Sequence, residues 1–232
     1  MKIALVGYGK MGKIIDEISQ SRGHEVVARL RETPTTENLN NPDVVIEFSN
    51  PEVAFENIKT CLENKIPVIC GTTGWLDQKP EIERIALENN TAFLYGSNFS
   101  LGVNLFFALN ENLAKMMNKF NEYSVQLEEI HHIHKLDAPS GTAISLAEGI
   151  INNSNFEAWK LDETKEKELG IFAIREDEVP GTHSVFYRSE VDEIEIKHTA
   201  FNRNGFALGA VIAAEWIVDK KGIFTMKDVL GL

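Results

Sequence analysis

Residues 2–12 read KIALVGYGKMG, and this stretch decides how the amino-terminal half of the chain folds. A short apolar run ends at a glycine, and Gly7, Gly9 and Gly12 then give the spacing G-x-G-x-x-G where helical periodicity begins. Glycine suits these positions because the turn is tight, the backbone must approach a pyrophosphate and the helix must lie close to the strand. The stretch therefore predicts a strand, a turn and a helix that bind a dinucleotide.

The chain that follows repeats the same pattern of apolar strand and amphipathic helix. Such alternation is typical of a parallel sheet with helices on both faces, so we expect a Rossmann-type, doubly wound α/β domain. Further strands are predicted at 24–30, 43–48, 67–74 and 91–99.

From residue 122 the pattern changes to strand-like segments joined by short polar turns, with one helix predicted at about 142–152. This indicates a smaller α+β domain with a mainly antiparallel sheet. The charged stretch at 160–170 is expected to be a solvated connection. The tail returns to helical periodicity and is expected to rejoin the first domain. The predicted domains are 1–101 with 205–232, and 102–204.

Composition and charge restrict the partners of the chain. The net charge of -12 opposes binding to nucleic acid, whose phosphates are met by lysine and arginine. The longest apolar runs are far too short to span a membrane. Because the amino terminus enters a strand directly, we expect no signal peptide and a cytoplasmic location. Cys61 and Cys70 are expected to be reduced, buried thiols, since their spacing fits neither a zinc knuckle nor a disulfide framework.

Three more segments are candidates for contact with the dinucleotide. An acidic residue at the end of the second strand usually binds the ribose diol of NAD, whereas arginine there suits the 2′-phosphate of NADP. Arg31 and Glu32 both lie there, so the cofactor choice stays open, and Arg31 is alternatively a solvated strand end. GTTG at 71–74 and GSNF at 96–99 follow the fourth and fifth strands, where such sheets bind ligands.

The segment HHIHKLDAPSGT at 131–142 carries three histidines and a lysine, and it has three interpretations. A metal site is poorly supplied with ligands, because His132 and His134 would share one face of an extended strand and His131 the other. The remaining histidines, at 24, 183 and 198, belong to unrelated segments of the sequence. A structural cluster without chemistry is the second interpretation.

The third interpretation is anion recognition beside acid chemistry. Residues 140–142 offer N–H groups and hydroxyls at the start of a helix, which suits a carboxylate. Lys135 adds a point charge, and His131 or His132 can exchange a proton near neutral pH. Asp137 either orients Lys135 or forms the turn before Pro139.

Five blocks that span nearly the whole chain resemble the dihydrodipicolinate reductase family, the 4-hydroxy-tetrahydrodipicolinate reductases of bacterial lysine and diaminopimelate synthesis. The block that begins at 128 is highly specific, whereas the glycine motif is not. The blocks are GYGKMG (7–12), GTTGW (71–75), SNFSLGVN (97–104), EEIHHIHKLDAPSGTA (128–143) and HTAFNRNGFALGA (198–210).

The resemblance implies hydride transfer from NADH or NADPH to C4 of a small cyclic imine dicarboxylate. It implies that His131 is the general acid for the neighbouring carbon and that Lys135 is a second proton donor and charge partner. No metal is expected. The candidate substrate-binding residues are His132, Lys135, Ser140, Gly141 and Thr142. The candidate cofactor-binding residues are Gly7, Tyr8, Gly9, Lys10, Met11, Gly12, Arg31, Gly71, Thr72, Thr73, Gly96, Ser97, Asn98 and Phe99.

The resemblance also implies a homotetramer assembled through the sheet of the second domain, and a hinge that closes the two domains over the ligands. The chain departs from the family pattern at Ile133, often arginine, and at Gln126, often glutamate. Its glycine turn is one residue shorter, with Arg31 near the place of the usual glutamate. The rival interpretations are another two-domain NAD(P)-dependent dehydrogenase of aspartate-family amino-acid metabolism and a non-catalytic NAD(P) sensor.

Overall fold

A computed structural model describes residues 1–232. The chain forms two compact units: unit 1 contains Met1–Leu101 and Asn204–Leu232, and unit 2 contains Gly102–Arg203. The elements in chain order are β1 Lys2–Val6, α1 Lys10–Ser21, β2 Glu25–Leu30, β3 Val44–Glu47, α2 Pro51–Glu63, β4 Val68–Cys70, α3 Lys79–Glu88, β5 Ala92–Tyr95, α4 Leu101–Met117, β6 Ser124–His131, α5 Gly141–Ile151, β7 Ala158–Leu161, β8 Glu168–Arg175, β9 Thr182–Arg188, β10 Glu193–Thr199, α6 Asn204–Ile217, β11 Gly222–Phe224 and α7 Met226–Leu230.

Unit 1 is built on a six-stranded sheet in the order β11-β5-β4-β3-β1-β2. Every neighbouring pair is parallel, so the predicted doubly wound parallel sheet is confirmed. The sixth strand, β11, was not predicted, because the tail reads as helical throughout. Three residues are too few for a period-2 pattern to appear in the sequence.

Alternating side chains of β1 bury two separate cores, one on each face of the sheet of unit 1. Ile3 and Leu5 pack in a cluster with residues of α1 and α6. Ala4 and Val6 pack in the other cluster, with residues of α2 and α3. Both faces are covered, which is why the strands read as continuous apolar runs. Cys61 and Cys70 are buried free thiols in the second cluster.

Unit 2 is built on a five-stranded sheet in the order β10-β9-β6-β8-β7. The β10–β9 and β9–β6 pairs are antiparallel, as predicted, whereas β6–β8 and β8–β7 are parallel. The parallel pairs arise because the chain between β6 and β8 crosses over through α5. Helices α4 and α5 cover one face, and their core includes Leu127, Ile171 and Val185.

The charged stretch at 160–170 is not only a connection. It contains the end of β7 and the start of β8, and Lys165 bridges to Glu168 within it. Lysine and glutamate are depleted in strands in general, so the local sequence gives little sign of these short segments. They form because β7 adds to the edge of the sheet of unit 2, where exposed charges are tolerated.

Candidate functional site

The glycine turn of unit 1 has the geometry that close approach to a phosphate requires. Gly7 has φ of +95°, and a Cβ there would lie 2.1 Å from the carbonyl oxygen of Phe48, so only glycine fits. The amides of Gly7 and Tyr8 both donate to the carbonyl of Leu30, at 3.0 Å. Helix α1 begins directly after Gly9, and no atom lies within 4 Å of a Cβ built at Gly9. The turn therefore exposes a helix amino terminus to an open space that fits a pyrophosphate.

Two adjoining grooves bring most of the predicted cofactor residues together. One, of about 550 Å³, is lined by Gly7, Tyr8, Gly9 and Arg31, with Glu32 beside them. The other, of about 370 Å³, is lined by Gly9, Lys10, Met11, Gly71, Thr72 and Thr73.

The 96–99 segment is placed differently, because it lines neither groove. The ring of Phe99 is packed into the core of unit 1 and lies 5.7 Å from the ring of Phe48, centroid to centroid. The oxygen of the Asn98 side chain accepts from the amide of Ser100 at 2.9 Å. Any contact of this segment with a cofactor therefore falls to Gly96, Ser97 and Asn98, since the Phe99 side chain is 2% exposed.

Arg29, in β2, and Arg31, directly after it, have different partners. Arg29 forms a bidentate ion pair with Asp16, at 2.6 and 2.9 Å, and Tyr8 donates to the same carboxylate at 2.6 Å. Burial raises the pKa of Asp16, but hydrogen bonds from Arg29 and Tyr8 outweigh it and lower the pKa. Arg31 makes one 3.2 Å hydrogen bond to the carbonyl of Tyr8 and is otherwise exposed in the groove. Arg31 is therefore a cation available to an anionic ligand beside the turn, and exposed Lys10 lines the adjoining groove.

Glu47, at the end of β3, is a buried carboxyl group that sequence reasoning missed. It accepts from the amide and the hydroxyl of Ser49 and from the thiol of Cys70. The amide of Ser49 also donates to the hydroxyl of Thr72 at 2.8 Å. Burial raises the pKa of Glu47. The residue ties the loop after β3 to the end of β4, and the loop after β4 carries the predicted cofactor residues Gly71, Thr72 and Thr73.

In unit 2, strand β6 ends at His131, and this corrects the predicted strand through the histidine run. Residues 133 and 134 form a turn, so His132 and His134 do not alternate with His131 across a sheet. His131 is 7% exposed, and its Nδ1 is buried without a hydrogen-bond partner. The Nδ1 of His132 is also buried and unpartnered, whereas Ile133 and His134 are exposed.

Lys135 lies in the loop that follows His131, and two neighbours hold it there. Its Nζ pairs with both carboxylate oxygens of Asp137, at 2.8 and 2.9 Å. The guanidinium of Arg175, on β8, donates to the carbonyls of Lys135 and Asp137, at 3.3 and 2.8 Å. Arg175 was not predicted, yet it fixes the backbone that carries the lysine.

Ser140 caps α5, as residue types in this segment predict, and its polar atoms are engaged inside the protein. Its hydroxyl accepts from the amide of Ala143 at 3.2 Å and lies 3.0 Å from Nε2 of His183. Its amide donates to Oε2 of Glu129 at 2.9 Å. Gly141 is exposed and Thr142 is half-buried, so these two residues present the helix amino terminus outward.

Glu129 and His183, which sequence reasoning did not connect to the site, lie against His131. Glu129 is 0% exposed and pairs directly across the antiparallel β6–β9 ladder with His183. Oε2 of Glu129 lies 3.7 Å from Nδ1 of His131 and 3.8 Å from Nε2 of His183. Arg175 Nη1 lies 3.3 Å from the other oxygen of Glu129. His183 is therefore not in an unrelated segment, contrary to the sequence interpretation.

The donor atoms of Glu129, His131 and His183 lie within 4.8 Å of one another, a spacing that a metal ion can bridge. The guanidinium of Arg175 on Glu129 and the ammonium of Lys135 nearby oppose a further cation there. The Ser140 amide already donates to Oε2, the oxygen nearest both histidines. These contacts fit a proton-handling cluster better than a metal centre.

The two buried histidines favour the neutral form in the protein without a ligand. Burial lowers the pKa of His131; Glu129 opposes this effect, while Lys135 and Arg175 add to it. Burial, with the charge of protonated His131 as the next cause, lowers the pKa of His183 to about 3. His183 thus stays neutral at neutral pH and well below it.

The depressed pKa of His183 predicts a pH-dependent stability. The unfolded chain takes up a proton at this residue near pH 6.5, whereas the folded chain does so only near pH 3, so stability is present above pH 6.5 and is lost as pH falls. Between pH 6.5 and about pH 5 the free energy of unfolding of the wild type should fall by about 2 kcal/mol more than that of His183→Gln. Urea unfolding over this range, referenced to pH 8 to remove the packing cost of the substitution, measures the difference; parallel curves would contradict it.

Unit 2 also contains a cavity of about 500 Å³, lined in part by Met117, Phe156 and Tyr187. None of the predicted site residues lines it, so it is separate from the histidine cluster. None of the helices combines the length and the apolar composition that crossing a bilayer requires.

Comparison with known proteins gives the same family for both units. The model described as dihydrodipicolinate reductase, N-terminus, matches residues 1–99, and the one described as dihydrodipicolinate reductase, C-terminus, matches residues 102–230. The 4-hydroxy-tetrahydrodipicolinate reductase of Christiangramia forsetii is 56% identical over 100% of this chain and 98% of its own. The enzyme of that name from Methanocaldococcus jannaschii is 38% identical over 98% of this chain and 81% of its own.

A solved structure has a similar fold over nearly the whole chain. It is the dipicolinate-bound dihydrodipicolinate reductase from Paenisporosarcina sp. TG-14, which is 22% identical, with a TM-score of 0.77 and coverage of 97% of each chain. The glycine turn of unit 1, the histidine-lysine segment of unit 2, the two family models and the full-length relatives agree: the chain belongs to the dihydrodipicolinate reductase family.

Proposed function

We propose that the protein reduces 4-hydroxy-tetrahydrodipicolinate, by way of dihydrodipicolinate, to tetrahydrodipicolinate with NADH or NADPH, in lysine and diaminopimelate biosynthesis. The observation that carries this proposal is the arrangement at the end of β6. A buried histidine, a lysine and the exposed amino terminus of α5 lie in one loop cluster of unit 2. The first can donate a proton and the other two can bind carboxylates, which is what a dianionic imine requires.

Residues of unit 1 bind the cofactor in this proposal. NADH or NADPH, when bound, supplies the hydride that reduces C4 of the substrate. The open amino terminus of α1 at Gly9 binds the pyrophosphate, and Gly7 allows the backbone to approach it. Arg31 suits a 2′-phosphate and Glu32 suits a ribose diol, so both cofactors are to be assayed.

Residues of unit 2 bind the substrate and protonate it. Lys135 and the amides at Gly141 and Thr142 bind the carboxylates, with His132 beside them. Reduction at C4 leaves electron density on the neighbouring carbon, and His131 delivers a proton there. The pKa of His131 is lowered by burial in the free protein, and a bound dianion opposes that effect. Substrate binding thus promotes the protonated form that the reaction needs. The mechanism requires no metal ion.

Absorbance at 340 nm tests the proposed function with freshly made substrate and each reduced cofactor in turn. The proposal expects a substrate-dependent fall with at least one of them. No fall with either cofactor, together with tight cofactor binding, would indicate a sensor. Turnover of another aspartate-family substrate instead would indicate a related dehydrogenase.

Lys135→Ala is expected to lower kcat and to raise KM for the substrate about tenfold, because a charge-assisted contact to a carboxylate is lost. Steady-state kinetics measures both constants. Lys165→Ala is the matched control, since Lys165 is also ion-paired, to Glu163 at 2.9 Å, but lies in the connection between β7 and β8. Wild-type constants in Lys135→Ala would remove the lysine from the mechanism.

The cytoplasmic location and the homotetramer implied by the resemblance belong to the same proposal. The face of the sheet in unit 2 opposite α4 and α5 carries Ile174, which is 40% exposed in the single chain. In a tetramer assembled through this sheet, that side chain would be buried against a second copy. Light scattering of the purified protein measures the mass, and a monomer at micromolar concentration would refute the tetramer.

A further inference from the structure

Glu129 is a buried carboxylate that the proposed mechanism does not yet use. It has 0% exposure, on the helix-covered face of β6, two positions before His131 on the same face. Its Oε1 is 3.3 Å from the guanidinium of Arg175, and its Oε2 accepts from the amide of Ser140 at 2.9 Å. Two N–H donors, one of them cationic, therefore surround this carboxylate. Glu129 is thus a fixed negative charge beneath the proton donor.

The histidine next to Glu129 has a free ring nitrogen that faces this charge. Nδ1 of His131 is buried, has no hydrogen-bond partner and lies 3.7 Å from Oε2. That distance is too long for a hydrogen bond, but catalytic hydrogen bonds are often long before the ligands bind. A carboxylate oxygen has two lone pairs, so Oε2 keeps one acceptor position after it binds the Ser140 amide.

His183 does not compete for this position. Its Nε2 is 3.8 Å from Oε2 of Glu129 but only 3.0 Å from the hydroxyl of Ser140. Because that hydroxyl accepts from the amide of Ala143, its own proton is available to Nε2 of His183. A neutral His183 that accepts this hydrogen bond at Nε2 carries its own N–H on Nδ1, so Nε2 has no proton to offer Glu129.

We propose that Glu129 is the positioning residue of the proton donor: its carboxylate accepts the Nδ1–H of His131 and so makes Nε2 the nitrogen that donates. The proposal rests on the proposed acid role of His131. The proton leaves Nε2 for the substrate carbon, the imidazolium becomes a neutral ring that keeps its Nδ1–H, and solvent returns a proton to Nε2. Glu129 itself is not protonated in the cycle.

The groups around His131 predict the sign of each substitution. The charged and titratable groups around it are Glu129 on β6, His183 on β9, Arg175 on β8, and Lys135 and Asp137 in the loop before α5. His198, on β10, pairs with His183 in register. A negative charge among these stabilises the imidazolium and a positive charge destabilises it.

The pH dependence of kcat/KM tests the proposal. Glu129→Gln keeps the acceptor for the Ser140 amide but removes the charge, so the alkaline limb should move down by about one pH unit. Arg175→Gln should move the same limb up, because it removes the opposing charge. Glu128→Gln, on the opposite face of β6, is the matched control and should leave the limb in place. An unmoved limb in Glu129→Gln, or a shift of the same sign in both variants, would overturn the proposal.

A second measurement does not depend on whether Glu129→Gln folds. In the wild-type protein, the ¹⁵N NMR chemical shifts of the His131 ring report which nitrogen is protonated at alkaline pH. The signals of this ring are assigned by their absence from the spectrum of His131→Gln. The proposal expects the Nδ1–H form, and an Nε2–H form would overturn it. This readout is separate from turnover: if His131→Gln retains full activity, the proposed acid role fails, whereas the ring tautomer still reports on Glu129.

Discussion

His131→Gln should lower kcat by at least about 10²-fold while KM for the substrate changes little. A positioned general acid contributes typically about 10² to 10⁴ in rate, and glutamine cannot supply a proton at the same point. The substitution keeps a polar group of similar size, so carboxylate binding by Lys135 and the α5 amino terminus should persist. Loss of kcat without loss of binding is the signature of an interaction made in the transition state.

Steady-state kinetics at several pH values measures this effect. His134→Gln is the matched control, because His134 lies in the same segment but has a side chain that is 71% exposed. The control should keep wild-type kcat. A kcat for His131→Gln equal to that of the wild type would mean that another group is the general acid. His132 would then be the first candidate, because it is the nearest histidine along the chain.

The fold of unit 1 could be predicted from the sequence because its signals are local. Continuous apolar runs, helical periodicity and the glycine spacing after β1 are each contained in a few adjacent residues. β7 and β11 could not be predicted in this way. They have four and three residues, and each exists because a neighbouring strand offers an edge to pair with.

The site was predictable where a residue's role depends on its neighbours in sequence. The cap at Ser140 and the Lys135–Asp137 pair are of this kind. The roles of Glu129, Arg175 and His183 depend on the register of β6 with β8 and β9, which no local pattern specifies. One signal was present in the sequence. Leu127, Glu129 and His131 are at alternate positions, so a strand that buries Leu127 and His131 on one face also buries Glu129.

The strand end within the histidine run shows how a ladder can override a local pattern. The strand predicted from the sequence continues through the histidine run, but the neighbouring strand β8 reaches only Arg175, the partner of His131. Beyond it, Ile133 donates its amide to the carbonyl of Asp177, and the chain turns. The turn, together with Arg175, holds Lys135 in the loop that follows His131 instead of farther along a continued strand.

Gly209→Ala should destabilise unit 1 by about 3 kcal/mol, the upper end of the usual cost of overpacking. A Cβ at Gly209 would lie 1.7 Å from the carbonyl oxygen of Phe99, which is backbone and cannot rotate away. Either α6 or the 96–99 segment must move. Movement of α6 would loosen Ala210 and Ala213, both 0% exposed in the core that α6 shares with α1.

Gly205→Ala separates this clash from the intrinsic effect of removing a glycine from a helix. Gly205 lies in the first turn of the same helix, and its Cβ would meet only the Ser100 hydroxyl, at an ordinary 3.5 Å. Helix propensity alone favours alanine by up to about 1 kcal/mol, so Gly205→Ala should be neutral or stabilising. Urea unfolding followed by tryptophan fluorescence measures both variants in a Trp159→Phe background, because Trp75 and Trp216 lie in unit 1 whereas Trp159 lies in unit 2. Equal stability of the two would mean that α6 has freedom to shift, and that the close approach to Phe99 is not what holds it in place.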